Sequence, residues 1–308
     1  MIGFVLAAGF GTRLKPLTDH LPKALVPVCG APVLSHILND FKTGRMDRIG
    51  VNSHYLHEQL VAYQATSSIE FELFHEADKI RGTGGAFDFA RSFLETDDSF
   101  CVRNVDIIAD LNFIQLKENF VELKADVALV VVPSNKKSTV YYDSQTKAYQ
   151  GTAPHPDTVG GEFIGTAFYS RRFLESITAD DFSIVPVWAR AIAAGLKVCV
   201  IEVPGLYWND IGTPAGLAQI HFDVLDKKCV LPIPAKMIVD YGRHVARHSS
   251  LPNPIQNNLG EYCWIEPSDF STDKTIARCI VMEGSTINSK NQINNTIFTP
   301  WGAIPFEL

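Results

Sequence analysis

A stretch of small residues near the start of the chain leads into two cations. Leu6, Ala7, Ala8, Gly9, Phe10, Gly11, Thr12, Arg13 and Leu14 run together, and Lys23 follows in Leu21-Pro22-Lys23. Small side chains let backbone amides close on an anion, and glycine supplies the left-handed backbone that a nest of N–H groups requires. Arg13 adds a guanidinium fork for phosphate oxygens and Lys23 a second positive charge. Two common phosphate loops are excluded. Leu14 stands where a dinucleotide fingerprint needs glycine, and the Gly-Lys-Ser/Thr of a P-loop is absent. By itself the stretch also fits a tight strand-to-helix turn with two solvated cations. Two aspartates stand where a phosphate site would draw on carboxylates. Asp106 lies just past a strand predicted at 100–104, and ligands gather beyond the carboxyl ends of strands in open α/β sheets. Asp210, in Trp208-Asn209-Asp210-Ile211-Gly212-Thr213-Pro214, precedes a helix start at which Thr213 is the better cap. Asp110 reads by default as a surface acid.

These residues need elements to position them. Residues 2–6 are a continuous apolar run, suited to a buried parallel strand that feeds the small-residue loop. Pro32 opens a helical pattern with Leu34, Ile37, Leu38 and Phe41 on one face, stopped by Gly44. Strands are predicted at 49–53, 69–73, 100–104 and 127–132, and helices at 57–64, 86–94 and 113–123. Residues 134–161 are polar and turn-rich, with one strand at 140–142. Strands at 163–169 and 198–203 and helices at 185–194 and 214–225 complete the alternation. It predicts an α/β domain with a mostly parallel, mixed sheet sandwiched by helices. Pro232, Pro234, Pro252 and Pro254 then punctuate a stretch without helical periodicity, so a boundary is placed between a domain at 1–225 and a small β-rich region at 226–308. There Val281, Ile287 and Ile293 recur at hexapeptide spacing. That period predicts a rudimentary left-handed β-helix of about one coil, with a plain hairpin region as the alternative.

The composition narrows the partners. A net charge of −7 over 308 residues excludes a protein whose main work is coating nucleic acid. The six cysteines have no paired spacing and read as free thiols of a cytosolic protein. The apolar run at 2–8 is too short to span a membrane and lacks the basic flank of a signal peptide. The expectation is therefore a cytoplasmic protein without a membrane partner, whose Asn294-Asn295-Thr296 sequon goes unused. His244 and His248 lie at i, i+4 between Arg243 and Arg247, which favours a basic surface patch over a metal grip. His54 and His57 are expected to flank a helix.

The pattern Leu-Ala-Ala-Gly-x-Gly-Thr-Arg-Leu-x-Pro-Leu-Thr from Leu6 to Thr18, followed by Pro22-Lys23-Ala24-Leu25-Val26-Pro27-Val28 and Gly30-x-Pro32, resembles the signature of sugar-1-phosphate nucleotidyltransferases, the NDP-sugar pyrophosphorylases. The resemblance runs to about residue 225. It looks closest to N-acetylmuramate-1-phosphate uridylyltransferases and to mannose- or heptose-phosphate guanylyltransferases. It implies the nucleotide-diphospho-sugar transferase fold and a reaction of NTP with sugar 1-phosphate to give NDP-sugar and pyrophosphate. It also implies that Arg13 and Lys23 bind phosphates, and that Asp106 and Asp210 hold Mg²⁺ as the aspartates of the family's Asn-Gly-Asp and Trp-x-Asp-x-Gly-Thr segments. The nucleotide would lie against Leu6, Ala7, Ala8, Gly9, Gly11 and Thr12 and against Gly84 and Gly85 of Gly82-Thr83-Gly84-Gly85-Ala86. Glu76 is then a side-chain partner for the base or, equally, a solvated strand-end acid. Asn104, Glu162, Gly165 and Trp208 fall on the sugar side.

Such a transfer needs the triphosphate held, the α-phosphate charge offset and the attacking oxygen in line with the leaving pyrophosphate. A sugar phosphate has a second pKa of about 6, so no general base is required. Two departures stand out. Val105 replaces the glycine that usually precedes the first metal aspartate, and the family's Glu-Lys-Pro lysine is absent, leaving Lys23 or Arg190 for the sugar phosphate, or a different acceptor. The competing readings are a phosphocholine-type cytidylyltransferase and a non-catalytic nucleotide-sugar-binding regulatory subunit. A bifunctional enzyme with an acyl-transferring tail is disfavoured by the few hexads. Contact in a homo-oligomer is the expected use of the tail.

Overall fold

A computed structural model describes all residues except 135–137, 252–257, 271–274 and 289–290, so Pro252 and Pro254 lie outside the described residues. The chain divides into two compact units that interleave along the sequence. The first joins Met1–Gly9 to Ile37–Trp208, and the second joins Phe10–His36 to Asn209–Leu308.

The first unit is built on a mixed sheet. Its strands run in the order Tyr149–Gly151, Val140–Asp143, Thr158–Ser170, Ser99–Asn104, Ile2–Leu6, Arg48–Ser53 and Glu72–His75. Ile2–Leu6 lies parallel between Arg48–Ser53 and Ser99–Asn104. Val127–Pro133 pairs antiparallel with Thr158–Ser170 and parallel with Val198–Glu202. Its β-branched run is buried over the first five residues, as expected of a strand covered on both faces. Phe87 sets its ring edge-on to Phe100 and Tyr169, 5.6 and 5.0 Å between centroids, in the core under these strands. All six cysteines are buried, and none forms a disulfide.

Three elements differ from the sequence reading. The strand expected at 69–73 starts at Glu72. The backbone before it is taken up locally: Ser67 Oγ bonds Ile69, and Gln64 Nε2 donates to the Phe71 carbonyl at 2.5 Å. The helix expected at 86–94 is two, Gly82–Phe89 and Arg91–Leu94. Arg91 donates to Asp88 and to the carbonyls of Leu174 and Ile177, which fixes the second segment where it restarts. The strand expected at 163–169 spans Thr158–Ser170, because its first four residues, two of them glycines, pair with Val140–Asp143.

In the second unit, Phe10–His36 forms three one-turn 3₁₀ segments and a short strand pair, Pro27–Val28 with Ala31–Pro32. Pro32 thus ends a strand, and the helix begins at Val33. Helix Pro214–Leu225 starts as expected, with Thr213 Oγ1 accepting the Gly216 amide at 3.1 Å and Pro214 in the first turn. The tail is a ladder of parallel strands, Val245–His248, Cys263–Ile265, Ile276–Val281 and Ile293–Thr299. Register partners Cys263, Cys279 and Thr296 fall about 17 residues apart, close to three hexads. The tail therefore stacks several rungs, more than the single coil expected. Cys263, Cys279 and Thr296 share one register position with no aliphatic residue to mark it, which hid the repeat.

Candidate active site

In the second unit the charged residues converge on one glycine. Gly11 takes the left-handed conformation (φ 63°), and Thr18 Oγ1 donates to its carbonyl at 2.8 Å, folding the loop back on itself. The fold places Arg13 on the first 3₁₀ turn and Lys23 on the third. Asp210 Oδ2 lies 3.6 Å from the Arg13 guanidinium, and its Oδ1 accepts the Gly212 amide at 2.7 Å. A Cβ on Gly212 would stand 2.6 Å from Arg13 Nη2, 2.7 Å from Asp210 Oδ1 and 3.0 Å from Lys23 Nζ. Two cations and a carboxylate thus meet over a bare backbone. An ion pair this long, with side chains 57% and 39% exposed, is worth less than about 1 kcal/mol. Folding stability therefore does not explain the convergence.

A buried imidazole supports the same stretch. His221 accepts the Cys29 amide at Nε2 (3.0 Å) and faces the Leu217 carbonyl through Nδ1 (2.8 Å), which fixes a neutral ring with its proton on Nδ1. Burial pushes its pKa down to about 4.

In the first unit the end of strand Ile2–Leu6 is held by a buried polar chain. The amides of Ala7 and Ala8 donate to Asn52 Oδ1 at 2.6 and 3.3 Å. Asn52 Nδ2 donates to Glu76 Oε1 at 2.7 Å, and Glu76 Oε2 accepts the Arg81 amide at 2.7 Å. Glu76 is fully buried, and both carboxylate oxygens are engaged within the protein. The structure thus joins the loop after the first strand to the segment leading into Gly82–Phe89. Asn52 was missed by sequence reasoning. The available signal was an asparagine in the middle of an apolar strand, where a polar group must find a partner.

The Gly82–Ala86 segment opens a helix whose Cα surface is covered by the chain at 181–182. Gly84 N donates to the Phe182 carbonyl at 3.2 Å, and a Cβ on Gly84 would lie 2.6 Å from the Asp181 carbonyl. Close packing there demands the glycine. Gly165 and Asn104 touch: Gly165 is left-handed (φ 66°), and a Cβ on it would lie 2.6 Å from Asn104 Nδ2. Glu162 is half-buried and sits opposite Val132, just before a register shift between Phe163 and Ala167. Trp208 and Asp106 are half-buried, and Asp110 is exposed. Val105 is buried, has no positive φ, and donates its amide to the Leu6 carbonyl at 3.1 Å, so valine brings no backbone strain here. The turn that follows is fastened by buried Arg103, which donates to the Ile107 carbonyl at 3.0 Å and pairs with Asp40 at 2.5 Å. Arg190 donates to the Ser176 carbonyl at 3.1 Å and pairs with Asp181. This makes it a brace for its helix.

Three further histidines stack on neighbouring rings. His244 stacks on Tyr262 and pairs with Asp226 at 3.0 Å. His57 bonds Ser53 and stacks on His75, with burial first and the neighbouring imidazole second holding its pKa below the usual value. Among the described residues no three His, Cys, Asp or Glu side chains form a metal cluster. Among them, too, no helix is long and apolar enough to cross a membrane.

The chain is similar to several known proteins. Residues 2–142 match the nucleotidyl transferase family. Mannose-1-phosphate guanylyltransferase catalytic subunit beta of Xenopus tropicalis is 26% identical, the alignment covering 96% of this chain and 85% of that one. The bifunctional protein GlmU of Methanocaldococcus jannaschii is 29% identical over 74% of this chain and 55% of its own length. In fold, the chain is similar to HddC from Yersinia pseudotuberculosis complexed with GMP-PN (TM-score 0.60, 21% identity, 71% of this chain and 97% of that one). It is also similar to the inositol-1-phosphate CTP transferase from T. maritima (TM-score 0.60, 18% identity, 71% and 95%). With a glycine loop, a convergent pair of cations and this sheet, the chain carries a nucleotidyl transferase domain over residues 2–142 and is similar to mannose-1-phosphate guanylyltransferases along most of its length.

Proposed function

We propose that this nucleotidyltransferase joins the α-phosphate of a nucleoside triphosphate to a sugar 1-phosphate, releasing pyrophosphate. The observation that carries the reading is the meeting of Arg13, Lys23 and Asp210 around Gly212. Arg13 and Lys23 face the negative charge of the phosphates and offset what builds up as the acceptor oxygen attacks. Lys23, at that convergence, is also our choice for the acceptor phosphate, since Arg190 braces a helix.

Family members use a divalent cation, and we infer Mg²⁺. The Asp210 carboxylate beside Arg13 and Lys23 is a hard oxygen donor, and magnesium is commonly held by one or two carboxylates together with substrate phosphates. When bound, the cation offsets phosphate charge. Glu76 acts through Asn52 and the Ala7 and Ala8 amides, leaving the base to be read by backbone around Gly9, where the space beside Cα is open.

Relatives that align with 96% of this chain carry the name mannose-1-phosphate guanylyltransferase, so GTP with a hexose 1-phosphate is the first pair to test. The experiment is a panel of GTP, UTP, CTP, ATP and dTTP against hexose 1-phosphates and phosphocholine, read as pyrophosphate release. Turnover with a hexose 1-phosphate that is abolished by Asp106→Ala supports the reading. Turnover confined to CTP and phosphocholine replaces it, and binding without turnover points to a regulatory subunit. Self-association through the tail is a second proposal. It rests on Ile238 and Tyr241, exposed on and beside the edge strand Met237–Asp240, and gel filtration tests it.

A further inference from the structure

The tail reaches the phosphate loop through one stacked pair of rings. Trp301 lies parallel to His20, with centroids 4.7 Å apart and planes 10° from each other. Both belong to the second unit. Trp301 sits at the tip of the hairpin formed by Ile293–Thr299 and Gly302–Pro305, and that tip is tied down. Trp301 donates its amide to Thr299 Oγ1 at 3.1 Å, and the same hydroxyl donates to the Gly302 carbonyl at 2.9 Å. The hairpin's first strand is in turn the last parallel rung of the tail, pairing with Ile276–Val281.

On the other side, His20 closes the 3₁₀ turn Leu17–Asp19 by donating its amide to the Leu17 carbonyl at 3.2 Å. That turn carries Thr18, whose hydroxyl holds the Gly11 carbonyl and whose methyl group packs beside Gly11 Cα. Lys23 Cβ lies against the same glycine. A continuous path therefore runs from a paired rung of the tail, through Trp301, His20 and Thr18, to the loop that carries Arg13 and Lys23. Trp301 remains 40% exposed, so burial of its ring in a core does not account for its place.

We propose that Trp301 is a positioning residue for the phosphate-binding loop, acting through His20, and that the tail is thereby part of the nucleotide-binding apparatus. The proposal rests on the nucleotidyl-transfer reading above. A stacked aromatic pair that orders a binding loop contributes to ligand affinity, and its loss weakens binding by about threefold to tenfold.

The test is steady-state kinetics on the full chain with Trp301→Ala, Trp301→Phe, His20→Ala and the double variant Trp301→Ala/His20→Ala, alongside gel filtration. The expected result is a KM for the triphosphate raised by that factor in each alanine variant. Trp301→Phe should restore most of the loss, and the double variant should cost no more than either single one, because both break the same contact. An unchanged triphosphate KM in Trp301→Ala overturns the proposal, as do additive effects or a change in oligomer mass that accounts for the loss. A wild-type chain that releases no pyrophosphate with any pair overturns the underlying reading and the proposal with it, whereas an active wild type with an indifferent Trp301→Ala overturns the proposal alone.

Discussion

Glu76 holds Asn52 by a 2.7 Å hydrogen bond between two buried side chains, and Asn52 in turn holds the Ala7 amide at 2.6 Å. Each carboxylate oxygen of Glu76 faces an N–H donor. Glu76→Gln would aim an NH₂ group at one of them, either Asn52 Nδ2 or the Arg81 amide. A buried donor left facing a donor costs about 1–3 kcal/mol. The expected outcome is a fall in Tm of several degrees with a raised triphosphate KM, read by thermal unfolding and kinetics. An unchanged Tm would show that the network does not bear on the fold.

Gly212→Ala should separate chemistry from folding. Gly212 has no left-handed φ, so alanine is permitted by the backbone, but its methyl group would occupy the space among Arg13, Asp210 and Lys23. Moving even one of these charges by an ångström is expected to reduce kcat/KM by about 100-fold. The fold should survive, with Tm close to wild type. Pyrophosphate release and a melting curve on the same preparation check both halves.

Gly165→Ala should cost more in stability. Its φ of 66° disfavours any side chain by about 1–2 kcal/mol, and the new methyl group would strike Asn104 Nδ2. We expect a lower Tm together with a raised KM for the sugar phosphate.

His221 gives the chain an acid-sensitive element. Its pKa lies near 4 in the fold and near 6.5 when unfolded, so between these values the unfolded chain binds a proton that the folded chain does not. The contribution is fully present above pH 6.5, is lost as pH falls towards 4, and amounts to roughly 3 kcal/mol. Denaturant unfolding of wild type and His221→Gln across pH 4–7.5 checks the sign. The stability advantage of the wild type should shrink as the solution is acidified.

How much of this was legible in the sequence follows from how local each feature is. The loop carrying Arg13 and Lys23 is contiguous, as are the strand before it and Thr213 at its helix start, and all three read directly. Asn52 with Glu76, Gly212 beneath Arg13, and His20 against Trp301 join residues far apart in the chain, where no period or spacing announces a partner. The alternation of helices and strands was visible because apolar periodicity is local too. The strand at 69–73 misled because side chains of Gln64 and Ser67 claimed backbone that the alternation assigned to the sheet. Glu76 could be suspected from its resemblance to a base-contacting position, yet only its burial shows that both its oxygens are spent inside the protein.

The central claim is tested most directly with a triphosphate labelled at its α-phosphate. Wild-type protein is incubated with labelled GTP, a hexose 1-phosphate and Mg²⁺, and the products are separated. The account predicts label in a nucleotide sugar formed in equal amount with pyrophosphate, and loss of that product by at least about 100-fold in Arg13→Ala. Label that stays in GTP for every acceptor, or a nucleotide sugar formed equally well by Arg13→Ala, would contradict it.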